Sequence, residues 1–150
     1  MLTVAHIKDA FPVIGALEGL AGELACERAT DGEIDEISML NLKMTTAYKN
    51  RDRRKYFRLN QQIHEALALA ARNPTLNQMR ETLDGRVSRA RYYANISTAR
   101  WDQAMKEHEA ILAALKARDG ARLGRILKEH LAHKLETLRG VIEDEEVVEE

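Results

Sequence analysis

WDQAMKEHEAILAALKARDGARLGRILKEHLAHKLETL, residues 101–138, decides the fold. Trp101, Ala104, Met105, Ile111, Leu112 and Leu115 recur at three and four residues, and so do Leu123, Leu127, Leu131, Leu135 and Leu138. That spacing is the helical period, with one apolar stripe on each segment. Only Asp119-Gly120 interrupts the pattern, so two long helices are joined by a turn too short for anything but an antiparallel pair.

Working upstream, the same period recurs. Ser97 or Thr98 opens the helix of Trp101. Asn73-Pro74 is a cap followed by proline at a first helical position, and predicts a helix to about residue 95 with Leu76, Met79, Leu83, Val87 and Ala90 inward. Residues 53–71 carry Tyr56, Leu59, Ile63, Leu67 and Ala70 as a stripe. Thr30 with Glu33 forms a capping-box pattern before Ile34, Ile37, Leu40, Met44 and Tyr48. A first helix is predicted over 9–29, capped by Asp9, with Pro12 in its opening turn. Residues 1–8 read as a lead-in and the acidic 143–150 as a frayed tail. Two prolines and eight glycines are too few for an all-β chain. The prediction is one all-α domain, an antiparallel bundle of six to seven helices.

Composition narrows the function. At 150 residues, 45% apolar and 31% charged, the chain suits a single soluble domain. A formal charge of −1 argues against this surface binding nucleic acid by itself. Cys26 is the only cysteine, which excludes an internal disulfide framework and agrees with a cytoplasmic setting. No run of 18 apolar residues suggests a membrane span.

Function must then come from polar groups placed on apolar faces. His108 falls in the middle of its stripe and His130 toward the edge of its own. His64 lies four residues after Asn60, on the same helical face and at the border of the stripe. Buried imidazoles need partners, and convergence on one ion would satisfy several at once. Three histidine nitrogens and an asparagine oxygen suit zinc, nickel or a similar divalent ion. A di-iron carboxylate site is excluded, because Gln61, Met105 and Leu127 stand three residues before the histidines, where glutamates are needed. There is no His-Glu-x-x-His, no phosphate loop and no nucleophile elbow. Arg86 lies about 60° from the centre of its stripe by helical angle, with Tyr93 on the same side. A guanidinium there matches a carboxylate in bidentate fashion.

Leu17-Glu18-Gly19-Leu20-Ala21, Glu27-Arg28-Ala29-Thr30, Asn60 with His64, Asn73-Pro74, Glu107-His108-Glu109-Ala110-Ile111-Leu112 and His130-Leu131 follow one another in an order that resembles the FadR C-terminal domain. This is the effector-binding half of FadR-type GntR transcription regulators, and the resemblance spans about residues 9–141. It implies a helical bundle around a small-molecule cavity, with a divalent metal held by an acidic residue and three histidines. Those positions fall on Asn60, His64, His108 and His130. Two departures stand out: a neutral Asn60 where Asp is usual, and Ile14-Gly15 where arginines often precede the Leu-Glu pair. Members carry a winged helix-turn-helix ahead of this domain, for which 1–8 is too short, so the sequence reads as the sensor half alone. The resemblance therefore implies a cytoplasmic, homodimeric sensor of a small carboxylic acid, reaching DNA only through a separate domain. A metal-dependent hydrolase and a metal-free dimerisation bundle are the alternatives.

Overall fold

A computed structural model of the chain describes the backbone at residues 4–93 and 97–148, and side chains at 5–85 and 97–140. Six helices follow one another: α1 (Val4–Arg28), α2 (Asp31–Lys49), α3 (Arg53–Ala70), α4 (Pro74–Tyr93), α5 (Thr98–Lys116) and α6 (Gly120–Val148). No strand occurs among the described residues. The architecture is an all-α bundle. No helix among the described residues is long and apolar enough to cross a membrane.

The caps sit where the sequence places them. Thr30 Oγ1 accepts from the Glu33 amide, and the Glu33 carboxylate accepts from the Thr30 amide, closing both halves of the capping box. Asn73 Oδ1 accepts from the Leu76 amide at 3.1 Å, and Ser97 Oγ from the Arg100 amide at 3.0 Å. Each satisfies a donor that has no intrahelical partner.

Three local readings change. The first helix begins by Val4, so Pro12 lies in its interior and His6 within it. Ile7 and Phe11, both buried against Leu131 and Leu138, hold the added turns. The exposed Pro12 leaves the Lys8 carbonyl without its usual donor on the solvent side. On α4, Met79 is 51% exposed while Arg80 is buried and paired with Asp84 at 2.6 Å, one turn on. The inward face is therefore rotated relative to the predicted stripe; Val87 and Ala90 lie outside the described side chains. At the other end, α6 continues through the acidic segment to Val148 instead of fraying at 143.

Helix α1 packs most extensively on α6, α2 on α3, and α5 on α6. The α1–α6 crossing is close because of small residues. A Cβ on Gly19 would lie 3.3 Å from the Gly124 carbonyl oxygen, and one on Gly124 would lie 3.3 Å from the Gly19 carbonyl oxygen. At Gly22 it would meet Leu127 Cδ1 at 2.5 Å. This approach sets Glu18 of α1 deep in the bundle, 3% exposed. One large cluster around Ile37, Met44, Ile63, Ile111 and Leu123 fills the middle of the bundle. A smaller one joins Ile7, Phe11 and Ile14 of α1 to Leu131 and Leu138 of α6.

Candidate metal centre

Each candidate ligand is placed by its own helix. On α3, Tyr56, Asn60 and His64 stand one turn apart, so the stripe that buries Ile63 and Leu67 also carries these polar groups inward. On α5, His108 follows Trp101 by seven residues and shares its buried face. On α6, His130 sits between the buried Leu127 and Leu131. All four candidates are buried: Asn60 at 2% exposure, His64 at 4%, His108 at 1% and His130 at 0%.

The three imidazoles meet. Ring centroids of His108 and His130 are 4.8 Å apart, those of His64 and His108 5.4 Å, and those of His64 and His130 5.7 Å. One ring nitrogen from each lies within 4.8 Å of the others. Neither ring nitrogen of His108 has a hydrogen-bond partner among the described residues, nor do His130 Nε2 and Asn60 Oδ1. A buried polar atom left in this state costs about 1–3 kcal/mol. Three of these atoms belong to His108 and His130, inside the histidine cluster, and fit a group that accepts nitrogen lone pairs.

Two carboxylates that sequence reasoning did not assign to the site stand behind the histidines. His130 Nδ1 lies 3.1 Å from Glu107 Oε2, and His64 Nδ1 lies 3.3 Å from Glu18 Oε2. A carboxylate on Nδ1 selects the tautomer whose Nε2 lone pair is available to a metal, and raises its basicity. Glu107 is itself anchored by Arg100 Nη1 at 2.6 Å, while His133 approaches from the half-buried side at 3.2 Å. Arg100 Nη2 also donates to the His130 carbonyl oxygen at 3.5 Å. Lys134 lies one turn beyond His130 on α6 and is 1% exposed.

Burial favours the neutral form of two of the three imidazoles. Burial, reinforced by the neighbouring His64 and Lys134, holds His108 well below the usual histidine range. Burial does the same for His130, reinforced by Lys134, His108 and His64. Neutral imidazole is the metal-binding form. The three buried nitrogens therefore fit a borderline divalent ion in a layer that the bundle already shields from water, with the buried Asn60 one turn before His64 on α3.

Other candidates stand apart. Cys26 is a buried thiol pushed up by burial, donating weakly to the Ala114 carbonyl, which suits a core group. An apolar cavity of about 420 Å³ lies between α1 and α6 against Phe11, Pro12, Gly15 and Leu135, with Lys128 as the only charged lining residue among those described. The side chains of Arg86 and Tyr93, the predicted ligand contacts on α4, lie outside the described residues.

Residues 9–133 match the FCD domain, the C-terminal domain of FadR/GntR regulators, over most of the chain. The chain belongs to the FCD family. No curated protein matches it. Among solved structures, McbR/YncC of E. coli superposes with a TM-score of 0.81 at 24% identity, over 89% of this chain and 64% of that one. At that identity the likeness speaks for the fold. This FCD domain spans under two-thirds of the length of McbR/YncC.

Proposed function

We propose that this FCD domain is the effector-sensing part of a GntR-type transcription regulator. It takes a small organic acid at a divalent-metal site and passes the change to an attached winged-helix domain that binds DNA. Membership of the FCD family supports the regulatory role. The site rests on one observation, the convergence of three buried imidazoles whose donor atoms lie within 4.8 Å. In this reading His64, His108 and His130 hold zinc or nickel, Asn60 supplies the fourth donor, and Glu18 and Glu107 orient the rings. Arg86 and Tyr93 contact the anionic part of the effector. An ion with open positions offers a carboxylate a Lewis-acidic docking point. The protein acts by differential affinity for two arrangements of the domain. It works as a cytoplasmic homodimer, sensing its acid without turning it over.

Elemental analysis of protein purified without chelator tests the reading. About one divalent ion per chain is expected, lost in His108→Ala. Metal-free protein whose stability is indifferent to added zinc would instead leave a dimerisation bundle with three histidines in its core.

A further inference from the structure

The formal charge of −1 averages over an uneven surface. Residues 49–58, KNRDRRKYFR, place six cations and one acid on the corner where α2 turns into α3. The acid is already engaged: Asp52 accepts from the Lys55 amide at 3.1 Å and caps α3. Arg51 and Arg53 lie over the Trp101 ring, 5.4 and 5.1 Å from its centroid, and hold the turn against the bundle. Lys49, Arg54, Lys55 and Arg58 are exposed, and none enters an ion pair among the described residues. At the opposite end of the bundle, by contrast, Arg72 and Arg118 have the carboxylates of Glu33 and Asp31 as partners. Helix electrostatics does not account for the surplus, since cations in a first turn face the positive end of the dipole. Arg54 and Arg58 stand one turn apart, about 6 Å along the axis, with Lys55 beside them. Such a row of like charges suits a partner whose negative charges repeat along a line.

The corner's place in the fold narrows the partner. Arg72, just after α3, donates to the Arg28 carbonyl at the end of α1, so these two helices finish together. They pack side by side and run the same way, and both therefore begin at the other end of the bundle. The corner lies at that end, the one that a winged-helix domain preceding α1 would adjoin. The acids of residues 143–146 continue α6, which packs on α1, α4 and α5 rather than on α2 or α3. They stand across the bundle from the corner.

We propose that the α2–α3 corner is a nucleic-acid contact of the sensing domain itself, in which Lys49, Arg54, Lys55 and Arg58 engage the phosphate backbone of duplex DNA. Contacts of this kind position a protein on the duplex and carry no sequence information. The proposal rests on the regulator reading above for the identity of the polyanion, and adds a surface of this domain to the DNA interface.

The test is fluorescence anisotropy of a labelled mixed-sequence duplex titrated with the whole chain across a salt series. Four phosphate contacts give a slope of log affinity against log salt of about −3.6, or roughly a 300-fold loss between about 20 and 100 mM salt. Combining Arg54→Gln, Lys55→Gln and Arg58→Gln should flatten the slope to about −0.9. A control combining Lys116→Gln, Arg122→Gln and Arg125→Gln removes the same charge from exposed positions at the opposite end. It should leave affinity and slope close to those of the unaltered chain. No binding of the duplex at low salt, or equal losses in the two triple variants, overturns the proposal. So does an unaltered chain that takes poly-glutamate as readily as the duplex, which would make the partner an acidic protein. The first and last of these arms need no variant to fold. Failure of the sensor reading has a different signature, a protein indifferent to zinc, and leaves the duplex titration unchanged.

Discussion

His130 shows how much of this site depends on a neighbour. Its Nδ1 faces Glu107, its buried Nε2 has no hydrogen-bond partner among the described residues, and its ring is fully buried. If Glu107 sets the tautomer, Glu107→Gln should weaken zinc binding about 10–100-fold, the usual effect of losing a carboxylate behind a histidine ligand. His133→Ala should change little, because His133 is half-buried and approaches Glu107 from outside the cluster. Isothermal titration of both variants separates the roles; equal losses would make Glu107 a general structural anchor. The depressed His108 and His130 make a second prediction. The unfolded chain takes up protons below a pKa of about 6.5 while these buried rings resist. Stability is therefore full above that pH and falls as pH drops below it, by roughly 1 kcal/mol per pH unit for each histidine. Urea unfolding in chelator at pH 7, 6 and 5 should show the decline. A flat profile would mean that the rings take up protons within the fold, beside Glu18 and Glu107.

At the scale of the elements, arginines tie the ends of α1, α3 and α5 together. Arg51, Arg72 and Arg118 each follow a helix C-cap with φ of 56°, 51° and 53°. Glycine is the usual residue there, and a side chain costs about 1–2 kcal/mol in that region. The side chains offset this. Arg118 donates to the Cys26 and Ala29 carbonyls at 3.1 and 2.8 Å, closing the end of α1. Arg72 donates to the Arg28 carbonyl at 2.8 Å, and Arg28 returns a bond to the Ala71 carbonyl at 3.1 Å. Arg118→Ala keeps the strain and loses both carbonyl bonds together with the 2.9 Å ion pair to the exposed Asp31, so it should cost about 1–3 kcal/mol. Arg118→Gly loses the bonds but relieves the strain and should cost about 1 kcal/mol less. Denaturant midpoints rank the three proteins, and alanine matching glycine would show that the backbone is not strained. The caps, the periods and the inward His108 were legible because each depends on residues within a turn or two of one another. The start of α1 was not, since Ile7 and Phe11 are held by α6, more than 100 residues away. Glu18 and Glu107 escaped for the same reason: Glu18 acts on a ring in another helix, and neither carries a local signal that separates it from a surface acid.

For the whole molecule, the bundle folds around a polar layer that its own side chains leave partly unsatisfied. The flanking clusters, around Met44 and Ile111 on one side and Phe11 and Ile14 on the other, bury enough apolar surface to carry that layer. An ion that engages the folded cluster but not the separated histidines of the unfolded chain adds its binding energy to stability. At a free zinc concentration 100 times its dissociation constant, that gain is about 2.7 kcal/mol. For a chain of this size it corresponds to a midpoint rise of roughly 5–10 °C. Scanning calorimetry should show the rise on adding zinc, its reversal by chelator, and its absence in His108→Ala. The variant is needed because zinc can also bind exposed histidines such as His6 and raise or lower the midpoint without entering the bundle. A shift that survives His108→Ala would place the ion elsewhere and leave the inward histidines as members of an ordinary, if under-bonded, core.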